Sequence, residues 1–316
     1  MLHPVLRPVL VLIQPTLMRK STIAGGRLLG DKAGMKTLLS IGHGYSAQAL
    51  AKLLLPQGWR IIGTSRTAEQ AEAVQATGVE ALVWPGDIGA ALGQATHLLT
   101  SVPPGDADPV LAGLGGQIAA AKLEFVGYLS TTAVYGHHNG DWVDEDTPLA
   151  PTTARGAARA RAESEWAAMG QPLHTFRLAG IYGPGRGPFE KVRDGTARRI
   201  LKPGQVFSRI HVEDIANVLH AAMNRPHPGI YNVCDDDPAA PEDVLSLAAQ
   251  MLNLPEPPMV QYEDAEMSPM ARSFYAENKR VRNYRIKQLL GVTLKYPTYR
   301  EGLAAILAAE NGAVGG

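Results

Sequence analysis

One stretch, residues 36–67, constrains the fold of this 316-residue chain more than any other. Leu38, Leu39 and Ile41 form a short apolar run that ends at Gly42, and Gly42-His43-Gly44-Tyr45-Ser46-Ala47 follows as a G-x-G-x-x-A turn. Ala47, Leu50, Ala51 and Leu54 recur at helical spacing, and Pro56-Gln57-Gly58 stops the helix. Residues 59–63 then read as a second strand. The spacing has a chemical reason. Gly42 permits a sharp exit from the strand. Gly44 has no Cβ, so its backbone is open to close approach. Ala47 is small enough for the helix to pack tightly on a sheet. The free N–H groups and dipole at the helix start favour an anion at that point.

Strand, glycine turn, helix and strand in this order predict the first βαβ unit of a dinucleotide-binding fold, with residues 42–47 around the pyrophosphate. The second strand bears on which dinucleotide binds. An acidic residue about 20 positions past the first glycine ordinarily holds the ribose 2′-hydroxyl of NAD. Here the region is Thr64-Ser65-Arg66-Thr67, and no Asp or Glu occurs between Asp31 and Glu69. Arg66 with Ser65 and the neighbouring hydroxyls suits a 2′-phosphate, through charge-assisted hydrogen bonds. The expected cofactor is therefore NADP, with NAD as the alternative. The other reading of Arg66 is a solvated side chain at the start of the next helix.

The rest of the composition narrows the class. Lys plus Arg and Asp plus Glu each total 30, so charge gives no reason to expect a nucleic-acid or membrane partner. Cys234 is the single cysteine, which excludes an internal disulfide and a multi-cysteine metal site and fits a reduced, cytoplasmic setting. A small-molecule substrate, no metal, and a monomer or homodimer are expected. Residues 1–34 differ from the remainder, with Arg7, Arg19, Lys20, Arg27 and Lys32 against Asp31 alone. Their apolar run 9–13 is far shorter than the roughly 20 residues that span a bilayer. They read as a disordered leader or a mis-assigned start, with a targeting peptide as the alternative.

Further along, strands are expected near 81–84, 98–102, 125–130, 173–178 and 230–234. Helices are expected at 67–76, 108–122, 152–169, 215–223, 241–252 and 299–309. This alternation predicts an α/β, doubly wound parallel sheet. The expected division is a Rossmann domain over 35–183 and a mainly C-terminal, substrate-binding part over 184–316, with some segments returning to the sheet.

Five pieces, in order, resemble the extended short-chain dehydrogenases/reductases, the NAD-dependent epimerase/dehydratase superfamily. They are the turn at Gly42, Gly86-Asp87-Ile88, STTAVYG at 130–136, RLAGIYGPGR at 177–186 and RIHVED at 209–214, and the resemblance covers roughly 36–310. It implies that Asp87 and Ile88 line the adenine pocket, that Ser101 and Val102 lie beside the cofactor, and that residues 179–182 face the nicotinamide. Two departures stand out. Extended members usually carry G-x-x-G-x-x-G, and they use a Tyr-x-x-x-Lys pair on the helix after the fifth strand. Setting Pro151 on the proline that precedes that pair puts Arg155 and Arg159 at the Tyr and Lys positions. Thr131 falls on the catalytic Ser/Thr position.

Guanidinium does not release its proton near neutral pH, so Arg155 cannot replace the tyrosine as an acid. It could stabilise an oxyanion; the other reading is a solvated ladder of Arg155, Arg159 and Glu163. Candidate acids are Tyr135, His137, His138 and Tyr182. Arg209 is the candidate for an anionic substrate. Glu213 or Asp214 is expected to cap the helix that follows, and His211 to bond nearby backbone. Two functional readings result: an NADP-dependent oxidoreductase or epimerase/dehydratase-like enzyme with a non-standard site, or a non-catalytic NADP-binding redox sensor or regulator.

Overall fold

A computed structural model describes residues 34–314. The expected leader, apart from Gly34, lies outside the described residues. Seven strands form one sheet: β1 Thr37–Ile41, β2 Arg60–Ser65, β3 Glu80–Val83, β4 His97–Thr100, β5 Phe125–Thr131, β6 Leu173–Leu178 and β7 Gly229–Val233. All pair in parallel, in the order β3-β2-β1-β4-β5-β6-β7. This is the doubly wound α/β sheet, and its strand order reverses between β1 and β4.

The central strands are apolar on both faces because helices cover both. Alternate residues of β1 serve opposite cores. Leu38 joins Leu50 and Leu54 of α1 (Tyr45–Leu54) on one face. Ile215 and Leu219, from a later helix, belong to the same core. Leu39 and Ile41 join the other core, with Leu92 of α3 (Gly89–Gln94), Ile118 of α4 (Pro109–Ala120) and Trp166 of α5 (Ala154–Ala167). Between α1 and α3, α2 (Ala68–Gln75) follows β2.

Capping shows which helix starts are satisfied by the chain itself. Thr67 accepts the Gln70 N–H, Asp108 those of Val110 and Leu111, and Thr153 that of Gly156. The start of α1, at Gly44, has no side-chain cap. The helix that carries Ile215 and Leu219 is α6 (Val212–Asn224), and His211 caps it: its Nδ1 accepts the Glu213 N–H at 3.2 Å. The cap expected from Glu213 or Asp214 is thus supplied by the residue ahead of them. Asp214 instead accepts the N–H groups of Lys295 (2.7 Å) and Tyr296 (2.9 Å), far along the chain.

Beyond residue 184 the chain contributes to both regions. β7 extends the sheet, whereas α7 (Pro241–Met251) and α8 (Tyr299–Val314) enclose a separate cluster. That cluster contains Tyr182, Phe189, Val244, Ala248 and Leu303. No helix among the described residues is long and apolar enough to cross a membrane.

Candidate active site

The glycine turn after β1 is held from three sides. The N–H of Gly42 donates to the Thr64 hydroxyl at 2.9 Å, and that of His43 to the Thr64 carbonyl at 2.8 Å. The Ser101 hydroxyl donates to the Gly42 carbonyl. Gly42 has φ +75°, and a Cβ there would lie 2.9 Å from Val102 Cγ2, so both conformation and space require glycine. Gly44 is different. A Cβ there would meet nothing closer than the Gly42 carbonyl at 3.8 Å. Its missing side chain leaves room for something outside the protein, beside an uncapped helix start. Ala47 is buried and lets α1 approach the sheet. These features fit a dinucleotide pyrophosphate at residues 42–47.

The hydroxyls expected to surround a 2′-phosphate are mostly committed. Thr64 is buried against the glycine turn and Thr67 caps α2. Half-buried Ser65 and exposed Arg66 remain, at the carboxyl end of β2. After β3, exposed Asp87 accepts the Gly89 N–H at 2.9 Å. Ile88 is core, packed with Leu39 and Ile41.

A cleft of about 750 Å³ opens at the carboxyl edge of the sheet, where β1, β4 and β5 end. Open α/β sheets place ligands at this switch point. Gly44, Tyr45, Ser46, Ser101 and Thr131 line it. Tyr45 donates to the Pro184 carbonyl at 2.9 Å, so the turn touches the loop after β6 across 139 residues of chain. Thr131 is half-buried, and its Oγ1 accepts the Ala133 N–H at 3.2 Å, which leaves its proton free to donate.

Of the candidate acids, Tyr135 does not reach the cleft. It is fully buried, and its hydroxyl donates to Asn232 Oδ1 at 2.7 Å and accepts from Arg177 at 2.9 Å. Burial pushes its pKa up to about 12. The expectation that it points into the cleft fails because β7 supplies a buried amide for it. His137 and His138 also lie outside the cleft lining: His137 accepts the Asn278 N–H and His138 bonds the Tyr135 carbonyl. Tyr182 lines the cleft, but it is buried, and burial raises its pKa.

Arg155 and Arg159 both line the cleft. Arg155 is exposed, with its guanidinium 4.7 Å from the Phe274 ring centre. Arg159 donates to the Leu129 carbonyl at 2.5 Å. Neither belongs to a ladder with Glu163, which is buried and paired with Arg177 at 2.7 Å, while accepting the Ser130 hydroxyl at 2.6 Å. Ser130, Glu163, Arg177, Tyr135 and Asn232 thus form one buried chain that ties β5, α5, β6 and β7 together beneath the cleft.

The opposite wall comes from the C-terminal part, through Phe207, Arg209, Phe274, Tyr275, Glu277 and Lys279. Arg209 donates to the carbonyls of Phe207 (2.9 Å) and Ala239 (3.0 Å). Beside it, burial pushes Asp235 up to about 8. Lys279 donates to Glu277 at 2.6 Å and to the Gly136 carbonyl at 2.8 Å. Of this wall, only Arg209 was legible as a site residue. The stretch 274–281 carries no motif, and its place in the cleft depends on contacts with residues 136 and 152. Among the described residues, no group of three or more His, Cys, Asp or Glu side chains could hold a metal ion.

Sheet order, uncapped helix start and glycine-opened cleft define a protein of the doubly wound class whose turn after β1 has the geometry of a dinucleotide site. Residues 117–234 of the chain match the model of the NAD-dependent epimerase/dehydratase family. A conserved protein of unknown function from Silicibacter pomeroyi is 61% identical in structural alignment, with a TM-score of 0.83, covering 87% of this chain and 99% of that one. Protein YeeZ of Escherichia coli K12 is 29% identical over 282 residues, 83% of this chain and 97% of YeeZ. A 3-diazoavenalumate denitrifying reductase from a Streptomyces species is 30% identical over 181 residues, 51% of this chain and 58% of the reductase.

Proposed function

We propose that this protein is an NADP-dependent oxidoreductase, or an epimerase-like enzyme that works by hydride transfer, acting on a small polar molecule in the cleft. The observation that carries the reading is the cleft itself. It joins the open backbone at Gly44 to the Thr131 hydroxyl and to a cation-rich wall from the C-terminal part. When bound, the nicotinamide supplies or accepts the hydride. The protein's own residues do the rest. Residues 42–47 hold the pyrophosphate, and Ser65 and Arg66 hold the 2′-phosphate. Thr131 donates a hydrogen bond to the substrate oxygen. Similarity to a reductase over half the chain favours the redox reading.

The alternative reading, an NADP-binding sensor without turnover, is favoured by one feature. Arg155 and Arg159 occupy the positions assigned to the family's Tyr and Lys, and Tyr135 is unavailable as a substitute.

The test combines binding and turnover. Arg66→Ala is expected to weaken NADP by roughly tenfold or more, the loss of a charge-assisted hydrogen bond, and to leave NAD nearly unchanged. Gly44→Val should weaken both, since its side chain would occupy the open space. Thr131→Val should lower turnover of a carbonyl panel by about tenfold without changing NADP affinity. Equal losses of NAD and NADP in Arg66→Ala, measured calorimetrically, would refute the NADP assignment. Tight NADP binding with no turnover would select the sensor.

A further inference from the structure

Hydride transfer to a carbonyl needs a proton at the oxygen, and the inference here rests on the oxidoreductase reading. The cleft arginines hold protons that they do not release near neutrality. Tyr45, Tyr182 and Tyr275 carry transferable protons, but burial moves all three further from neutrality, Tyr275 up to about 12.

Lys279 behaves in the opposite way. Burial pulls its ammonium below the usual lysine range, and the Glu277 carboxylate opposes that shift without cancelling it. Its place in the cleft is well defined. Gly136, whose carbonyl accepts from Lys279, closes the turn that begins at Thr131. Thr152, just before the cap of α5, donates to Glu277 at 2.8 Å. The Glu277–Lys279 pair therefore bridges the two segments that carry Thr131 and Arg155, and both side chains line the cleft with them. Among the described residues, two acceptors engage Lys279, and an ammonium has a third proton to give. The titratable and charged groups on the segments that hold it, 131–138, 152–159 and 274–281, are Tyr135, His137, His138, Arg155, Arg159, Tyr275, Glu277 and Arg280.

We propose that Lys279 is the catalytic acid–base residue of this cleft, replacing the family's tyrosine from a different part of the chain. As a hydride adds to the carbonyl carbon, the carbon–oxygen π bond breaks and its electron pair settles on oxygen. That oxygen takes the proton from Lys279 Nζ, and the amine regains one from water. The two electrons come with the hydride, from the reduced nicotinamide. In the oxidative direction Lys279 takes the alcohol proton.

The conservative variant is Lys279→Arg, which keeps the cation and its partner Glu277 but has no proton to release. The first readout needs neither cofactor nor substrate. Lysine side-chain NMR of the free protein should show one resonance titrating below the ordinary value of about 10.4, absent from Lys279→Arg. Glu277→Gln should move that resonance lower still. A Lys279 resonance at the ordinary value would overturn the proposal. The second readout is NADPH-dependent reduction of phenanthrenequinone. Lys279→Arg should lower kcat by about a hundredfold or more, with unchanged NADP affinity, and abolish the limb of the pH profile that matches the NMR titration. Equal kcat in wild type and Lys279→Arg overturns the proposal while leaving the oxidoreductase reading intact. A wild-type protein that binds NADP but reduces no carbonyl sinks both.

Discussion

At the scale of single residues, three buried histidines weaken the fold in acid. His43, His97 and His174 are buried, and burial depresses each from 6.5 to about 4. His43 is the extreme case, since neither ring nitrogen has a hydrogen-bond partner among the described residues. In the unfolded chain these rings take up protons below about pH 6.5; in the fold they resist until about pH 4. Protons therefore favour the unfolded state in that window. The stabilisation is present above pH 6.5 and is lost as pH falls toward 4. A full shift corresponds to roughly 3 kcal/mol per ring. Urea unfolding at stepped pH is expected to show stability falling steeply across this window. A flat profile would mean that the rings are hydrated or already charged.

At the scale of elements, the first turn of α5 governs the site. Gly156 packs so closely on the turn at 132–135 that a Cβ would lie 2.7 Å from the Ala133 carbonyl. That contact aligns α5, with Arg155 and Arg159, against the end of β5 that carries Thr131. Gly156→Val is expected to cost about 1–3 kcal/mol by overpacking and to reduce turnover through displacement of Thr131. The same change at Gly44 meets open space, so it should weaken dinucleotide binding at nearly native stability. Thermal melts of the two variants, side by side with calorimetry, separate packing from ligand space. Equal destabilisation would contradict the geometry.

At the scale of the whole molecule, long-range clasps tie distant parts of the described chain together. Asp214 is fully buried and holds the N–H groups of Lys295 and Tyr296, fastening the approach to α8 onto α6. Asp214→Ala leaves two donors without partners, at a cost of roughly 3 kcal/mol. Because β7 is a strand of the main sheet, the variant should still unfold in one transition. Two separated transitions, one by near-ultraviolet and one by far-ultraviolet dichroism, would show that the C-terminal part folds apart from the sheet.

The sequence by itself determined the alternation of elements and the glycine turn. These depend on short-range rules: apolar periodicity, the punctuation of Gly and Pro, and the steric needs of one βα turn. The strands at 38–41 and 173–178 and the helix at 241–252 were legible for that reason. Periodicity alone places them within a residue or two of Thr37–Ile41, Leu173–Leu178 and Pro241–Met251. Only the tertiary structure decided what each polar side chain faces. Tyr135 sits four residues beyond Thr131 and reads as a cleft residue, yet Asn232 and Arg177 claim its hydroxyl from other strands. Glu163 stands at ladder spacing from Arg159, yet Arg177 takes it. Lys279 carries no local signature, and reaches the cleft because Gly136 and Glu277, itself held by Thr152, fix it there. Periodicity along the chain records which face of an element is buried; it holds no record of partners more than a hundred residues away, and those partners assign the protons.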